Sequence, residues 1–182
     1  MRVELKMIRL ERPNTKFKET YIDAVKEIQN KGADNESNEQ YLKQNVEDLQ
    51  HNFEEFVKDQ LETHKGLDEG RVPNTNFWII DKNDEYCGRI SLRHYLNEKL
   101  ERFGGHIGYD IIPSKRGKSY ATKALTLCLE EAKKLGLEKV MLTCDNDNIP
   151  SIKIIERNGG MMQDKIKHKE DVLTIRYSIE LK

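Results

Sequence analysis

A short basic loop that follows an apolar strand carries the clearest chemical signal in the sequence. The segment from Gly105 to Ala121 reads GHIGYDIIPSKRGKSYA, and Pro113 marks the end of the strand. Small residues let backbone N–H groups approach an anion, and the N-terminus of a following helix adds a partial positive charge. The loop therefore predicts a binding site for a phosphate group, formed by Arg116, Gly117, Lys118, Ser119, Tyr120 and Ala121.

Two common nucleotide-binding motifs do not fit this loop. A Walker A loop requires a glycine five residues before Gly117, and Ile112 occupies that position. A dinucleotide-binding fingerprint requires its glycines in the turn after the strand, whereas Gly104, Gly105 and Gly108 lie before or within the strand. The sequence therefore predicts neither an NTPase nor a dinucleotide-binding site.

The loop resembles motif A of the GNAT acyltransferase superfamily, which is summarised as Gln/Arg-x-x-Gly-x-Gly/Ala. Arg116, Ser119 and Ala121 carry the match, with Ser119 in the place of the usual glycine. In that superfamily the motif holds the pyrophosphate of acetyl-CoA. The resemblance implies that the same loop binds acetyl-CoA here.

A second segment, DNDNIPSIKIIERNGG from Asp145 to Gly160, resembles motif B of the same superfamily. Asn148 and Ser151 match the segment that opens the motif B helix, and Asn158 and Gly159 match the pair that closes it. Between the two motifs, apolar residues recur at helical spacing as far as Gly136, and KVMLTC reads as a strand. The motifs together cover about residues 86–166, and the strings GGHIGYDI and RHYLN resemble a bacterial subgroup of predicted acetyltransferases.

Hydrophobic patterning predicts an α+β fold. The resemblance specifies a GNAT-like mixed, mostly antiparallel central sheet flanked by helices. We expect one acyl-CoA N-acyltransferase domain over residues 1–182, with the cofactor motifs at about 105–160 and variable substrate-facing helices at about 17–71. The predicted elements are a strand at 3–10, a helix at 17–29, a helical region at 38–65, a loop at 66–76, a hairpin of strands 77–81 and 86–95, and strands near 161–165 and 173–181.

Composition limits the classes of partner. Charged residues make up 35% of the chain but sum to a net charge of −1, which argues against binding to nucleic acid or to an anionic membrane. No apolar run approaches the length that spans a bilayer. The five histidines lack metal-ligand spacing, and Cys87, Cys128 and Cys144 show no pairing pattern. We predict a cytoplasmic protein without a metal; Cys144 is either a packing residue or, less favoured, a nucleophile.

The resemblance also implies roles for the strand that precedes the loop. The backbone N–H of Tyr109 would face the acetyl oxygen, and the backbone of Ile111 would pair with the pantetheine arm. Many relatives place a proton-donating tyrosine seven residues after the motif B asparagine, where this chain has Ile155. Ser151, a water held by Asn148, or bulk solvent remain as proton sources.

Two further groups of polar residues are candidates for the site. His106 lies in an apolar strand and is either a general base or a histidine with structural hydrogen bonds. Arg93, His94 and Asn97 follow the preceding strand and are candidates for binding a substrate carboxylate or phosphate. As surface residues they are equally consistent with no function.

These observations predict an enzyme that transfers acetyl from acetyl-CoA to a primary amine by direct attack in a ternary complex. The alternative is a non-catalytic acyl-CoA-binding sensor or assembly module, suggested by Ser119 and Ile155. The resemblance also implies a possible homodimer. The acceptor amine is not identified by the sequence.

Overall fold

The computed structural model describes residues 7–32, 39–62, 71–169 and 172–181. Its strands form two antiparallel sheets. The first sheet has the order β1-β2-β3-β4, and the second has the order β5-β7-β6. The strands are β1 Ile8–Glu11, β2 Asn74–Asp81, β3 Tyr86–Arg93, β4 Ile107–Ile111, β5 Lys139–Asp145, β6 Met161–Lys169 and β7 Val172–Glu180.

Helices cover both faces of the first sheet. The N-terminal helices pack on one face in a cluster rich in aromatic residues, where Tyr21 stacks on Trp78 with ring centroids 4.9 Å apart. A central helix packs on the opposite face in the larger core cluster, which also includes residues of the second sheet. The helices are α1 Lys18–Lys31, α2 Glu39–Leu42, α3 Val46–Glu62, α4 Glu98–Phe103, α5 Tyr120–Lys134 and α6 Ile149–Arg157.

The sequence of β2 shows why the first sheet is covered on both faces. Phe77 and Ile79 belong to the core cluster on the α5 side, whereas Trp78 and Ile80 belong to the cluster on the α1–α3 side. Side chains alternate between the faces of a strand, so a run of consecutive apolar residues requires two apolar neighbours. The strand therefore fixes the three-layer arrangement of helix, sheet and helix.

The two sheets meet through their edge strands, β4 and β5. An isolated bridge joins Gly105, which precedes β4, to Leu142 of β5. Gly105 has φ +63°, and a Cβ there would lie 2.4 Å from the Met141 carbonyl oxygen, so the close approach of the two chains requires glycine. Beyond this bridge, β4 and β5 line opposite sides of a cleft.

The α+β fold class is confirmed, and the helical region at 38–65 contains two helices, α2 and α3. The sheet differs from the prediction because the strands form two antiparallel sheets and not one central sheet. Helix α4 was not predicted, since only its N-cap residue Asn97 marks it. Residues 3–6 of the predicted first strand and 66–70 of the predicted loop lie outside the described residues, and β2 begins within that loop at Asn74. The single-domain assignment stays a prediction.

Candidate active site

The cleft between β4 and β5 has a volume of about 850 Å³. The loop before α5 closes one end, and the first turn of α6 closes one side. Both sequence motifs therefore reach the same cavity. Residues that line it include Tyr109, Arg116, Ser119, Ala121, Cys144, Asn148 and Ser151.

The backbone of β4 presents a hydrogen-bonding edge to the cleft. Arg93 N–H donates to the His106 carbonyl at 2.7 Å, and Ile112 N–H donates to the Cys87 carbonyl at 3.0 Å. Hydrogen-bonded pairs alternate along an antiparallel ladder, so the backbone groups of Tyr109 and Ile111 point away from β3. An extended ligand arm can therefore add to this edge as a strand would.

The loop before α5 has the backbone geometry of an anion site. Gly117 has φ +75° and Ser119 has φ +58°, and α5 begins immediately afterwards at Tyr120. Ser119 is the N-cap residue, but its side chain does not bond to the helix. The first N–H groups of α5 are therefore left without this usual cap and face an entering anion.

Contacts of two residues, Lys115 and Ser114, hold the start of this loop. Lys115 Nζ bonds to Asp81 at 2.9 Å and also to Glu85, which together raise the pKa of Lys115 against the opposing effect of burial. Ser114 donates to Glu27 through its N–H at 2.8 Å and its hydroxyl at 2.6 Å. Lys115 lines the cleft, but its ammonium group is held by two carboxylates, so it anchors the loop.

The cations that remain in the loop differ in position. Arg116 lines the cleft, and its Nε donates to the Ile111 carbonyl at 3.0 Å. Gly117, Ser119, Tyr120 and Ala121 line the cleft as well, whereas Lys118 does not. Arg116 is therefore the loop cation best placed to contact a phosphate.

Ser119→Gly should raise the free energy of unfolding by about 0.5–1 kcal/mol. A left-handed backbone costs a non-glycine residue about 1–2 kcal/mol, and the greater freedom of glycine in the unfolded chain offsets part of that gain. Urea unfolding measures the change. Lys118→Gly is the matched control in the same loop; its φ is not positive, so we expect a loss of stability.

Two hydroxyl groups meet at the wall of the cleft. Tyr109 Oη and Ser151 Oγ share a hydrogen bond of 3.0 Å, and burial raises the pKa of Tyr109 to about 12. The Asn148 side chain accepts from Ser151 N–H at 3.1 Å and so caps α6. Asn148 thereby fixes the position of Ser151, and the pair of hydroxyls is a potential proton source.

Two other residues near this wall have less reactive surroundings. Burial raises the pKa of Cys144 to about 11, so the thiol is not ionised near neutral pH. This favours the packing interpretation of Cys144 over the nucleophile. Ile155, at the position of the usual tyrosine, is 1% exposed and belongs to the core.

His106 lies at the junction of the two sheets. The ring Nδ1 of His106 accepts from the backbone N–H of Met141 at 2.9 Å. The backbone N–H of His106 donates to the Met141 carbonyl at 2.7 Å. Burial, with repulsion from Arg93, lowers the pKa of His106. His106 does not line the cleft, so its assignment as a base stays a prediction while its contacts are structural.

His106→Ala should lower the free energy of unfolding by about 1–3 kcal/mol, because Met141 N–H loses its acceptor. It should also change the pH dependence. A histidine whose pKa is lowered by folding stabilises the protein above its unfolded pKa of about 6.5, and that contribution is lost as pH falls. We expect the wild-type protein to lose more stability than the variant between pH 7 and pH 5. Parallel slopes in urea unfolding would contradict this.

The three predicted substrate-binding residues do not form one cluster. Arg93 lines the cleft, and its Nη1 donates to the carbonyls of Gly104 at 3.2 Å and Gly105 at 2.8 Å. His94 Nε2 instead bonds to Thr75 Oγ1 at 2.9 Å, and Asn97 caps α4. Neither of these two lines the cleft, so only Arg93 is positioned to meet a substrate there.

A buried network that sequence reasoning missed lies beside the cleft. The Asp110 side chain, 2% exposed, accepts from Arg89 Nε at 2.8 Å and from Tyr41 Oη at 2.9 Å. Tyr41 and Tyr86 share a hydrogen bond of 2.7 Å. Burial raises the pKa of Asp110 while Arg89 opposes the shift. The facing register of Arg89 and Asp110 in adjacent, otherwise apolar strands is the signal that could have indicated it.

The described residues contain no group of three or more His, Cys, Asp or Glu side chains arranged to hold a metal. In the same residues, none of the helices is both long and apolar enough to cross a membrane. The three cysteines are buried and unpaired.

Comparison with known proteins identifies the family. The model of the acetyltransferase (GNAT) domain matches residues 17–161. A Bacillus subtilis (strain 168) protein described as the uncharacterized N-acetyltransferase YnaD is 28% identical over 107 residues, which cover 58% of each chain. The match therefore spans just over half the length of that relative.

Solved structures share the fold. The microcin C7 self-immunity acetyltransferase MccE, in complex with acetyl-CoA and AMP, superposes with TM-score 0.69 at 17% identity, covering 96% of this chain and 93% of that one. RimL, a ribosomal L7/L12 α-N-protein acetyltransferase in complex with coenzyme A, superposes with TM-score 0.68 at 15% identity, covering 97% and 95%.

The domain match covers most of the chain, and the cleft joins the two motifs of that domain. The chain therefore belongs to the GNAT acetyltransferase family.

Proposed function

We propose that the protein transfers acetyl from acetyl-CoA to a primary amine by direct attack within a ternary complex. The observation that carries the proposal is one cleft bounded by the backbone edge of β4 that faces away from β3 and by a loop with two left-handed residues at the start of α5. A backbone edge suits the pantetheine arm, and the loop suits the pyrophosphate. The MccE and RimL complexes, with acetyl-CoA and coenzyme A respectively, support the same cofactor.

The chain's own groups would hold the cofactor and stabilise the charge that develops during the reaction. The amine nitrogen bonds to the acetyl carbon, and the carbonyl oxygen gains negative charge that the Tyr109 N–H stabilises. The carbon–sulfur bond then breaks, the leaving thiolate takes a proton, and the new ammonium loses one to solvent or to a base. Arg116, Gly117, Ser119, Tyr120 and Ala121 would hold the pyrophosphate, with a more distant contribution from Lys118, and Ile111 would pair with pantetheine.

Calorimetric titration of the purified protein with acetyl-CoA, ATP and NAD tests the proposal. We expect saturable binding of acetyl-CoA alone, followed by release of free thiol when a panel of primary amines is added. Absence of acetyl-CoA binding would refute the proposed function. Binding of all three ligands with equal affinity would show a general phosphate site.

Ser151→Ala should lower kcat about tenfold and leave the Kd of acetyl-CoA unchanged. General acids contribute about 100-fold or more, but Tyr109 Oη lies 3.0 Å from Ser151 Oγ and replaces part of its role. Steady-state thiol release measures the effect. Ser178→Ala, which removes a hydroxyl of β7 outside the cleft, is the matched control, and equal kinetics for the two variants would exclude Ser151 as the proton donor.

A second candidate function is a non-catalytic acyl-CoA sensor or assembly module. Burial of Ile155 at the position of the usual proton donor favours it. Acetyl-CoA binding without thiol release across the amine panel would support the sensor, and slow release stimulated by one amine would exclude it. We further propose a cytoplasmic location, which suits three buried, unpaired thiols, and a homodimer, which sedimentation can test.

A further inference from the structure

A polar groove runs along β3 and β4 on the side of the sheet that α1–α3 cover. Side chains alternate along these strands, and the opposite side is apolar, with Ile90, Leu92 and Ile107 in the core. Ser91 faces Gly108 and Arg89 faces Asp110 in the register of the two strands. We call this surface the arginine groove and define it by Arg89, Ser91, Arg93, Gly108 and Asp110.

The arginine groove opens into the cleft. Arg93, Gly108 and Asp110 all line the cavity that the cofactor motifs enclose. Arg93 pairs with His106, and Ile111 lies five residues further along the chain, just before the phosphate loop. Five residues of extended strand span roughly 17 Å, so Arg93 lies about that far from the phosphate loop. A ligand group in the arginine groove is thus distinct from the phosphates of the cofactor, and the Tyr109 N–H lies between them.

Gly108 leaves the middle of this groove open. Its φ lies outside the left-handed region, so the backbone does not require glycine. A Cβ there would meet only Ser91 Oγ, at 3.8 Å, so close packing does not require it either. Glycine in a strand interior weakens the strand and often marks the approach of a ligand. The absence of a side chain at Gly108 therefore leaves room for a ligand between the side chains of the groove.

The charges around this space are unbalanced. Arg89 and Arg93 lie on the same side of β3, and Asp110 is the carboxylate that pairs with Arg89. Burial and the charge of Arg89 both lower the pKa of Arg93, so the two guanidinium groups repel each other. Arg93 Nη1 donates to the backbone carbonyls of Gly104 and Gly105, and Arg89 Nε donates to Asp110.

We infer that the acceptor is an amine that also carries an anionic group, a carboxylate or a phosphate, held by Arg89 and Arg93 across Gly108. The inference rests on the proposed acetyl transfer and assigns the acceptor class of that same site. Guanidinium groups bind such anions through paired, charge-assisted hydrogen bonds. The anion offsets the excess positive charge, while the amine of the same molecule points toward the acetyl group near Tyr109.

Matched amines test the inference by calorimetry on the CoA-saturated protein. One arm compares O-phosphoethanolamine with ethanolamine, and the other compares β-alanine with β-alaninamide. We expect the anionic amine to bind at least tenfold more tightly in one arm, which also distinguishes phosphate from carboxylate. Equal or weaker binding of the anionic amine in both arms, including no saturable binding, would overturn the inference.

Variants locate the effect. Arg93→Gln keeps a donor for the Gly105 carbonyl but removes the charge, so the favoured anionic amine should bind about tenfold more weakly while its neutral partner is unaffected. Gly108→Ala should retain the melting temperature and the CoA affinity, because the added methyl group has room, yet weaken the anionic amine at least tenfold. Arg9→Gln, at the opposite edge of the sheet, is the control and should leave the affinities for both amines unchanged.

The outcomes separate this inference from the proposed function. Thiol release with neutral amines alone would retain the transferase and refute the anionic acceptor. Failure to bind acetyl-CoA would refute the transferase. In that case titration of the free protein with the same amine pairs still decides whether the arginine groove binds anions.

Discussion

Arg116→Ala is expected to raise the Kd of acetyl-CoA about 10- to 100-fold. Arg116 lines the cleft beside the start of α5, and its Nε already bonds to the Ile111 carbonyl on the cleft side of β4. A charge-assisted hydrogen bond contributes about 1.5–3 kcal/mol, and 1.4 kcal/mol corresponds to a tenfold change in affinity. Calorimetric titration with acetyl-CoA measures the loss.

Two comparisons make this result specific. Lys118→Ala removes a cation from the same loop that does not line the cleft, so we expect a change of only a few-fold. Dephospho-CoA and CoA should lose affinity for the Arg116 variant in equal proportion, because both contain the pyrophosphate. An unchanged Kd for the Arg116 variant would mean that the loop is not the pyrophosphate site.

Asp110→Asn is expected to lower the free energy of unfolding by about 3 kcal/mol. The amide keeps an acceptor for Tyr41 but removes the counter-charge of Arg89, and one partner of a buried pair left alone costs about 3–5 kcal/mol. The lower end applies because a third of the Arg89 side chain remains exposed. Urea unfolding at fixed pH gives the change in stability.

The control for this change is Asp84→Asn. Asp84 pairs with Arg9 at the protein surface, where such a pair is worth less than about 1 kcal/mol. Asparagine also tolerates the left-handed conformation of residue 84. Equal destabilisation by the two substitutions would show that Asp110 and Arg89 do not act as a buried pair.

Local features of the cofactor loop were readable from the sequence because neighbouring residues form it. Pro113 follows the end of β4, Gly117 has a positive φ, and α5 starts within the next few residues. Ser119 occupies the position that is glycine in the motif. Its φ is +58°, a conformation that glycine adopts without strain, which explains why the motif prefers glycine there.

The polar residues at the end of β3 are close in sequence but do not form the single substrate site that the sequence predicts. Arg93, His94 and Asn97 were grouped as one substrate site, but adjacent side chains point to opposite sides of a strand, and Asn97 begins a helix that periodicity did not reveal. Lys115 lies in the same basic loop, yet its ammonium group pairs with Asp81 at the end of β2, a contact between residues that are 34 apart in sequence.

Local sequence specifies the apolar periods of the helices and strands, the phosphate loop and the cap that opens α6, because each depends on residues within one or two turns of chain. Which distant groups meet is a property of the folded chain. Tyr109 and Ser151 are 42 residues apart, and Tyr41 and Asp110 are 69 residues apart. Such contacts follow from strand register and from the packing of helices on the sheets, which local patterns do not encode.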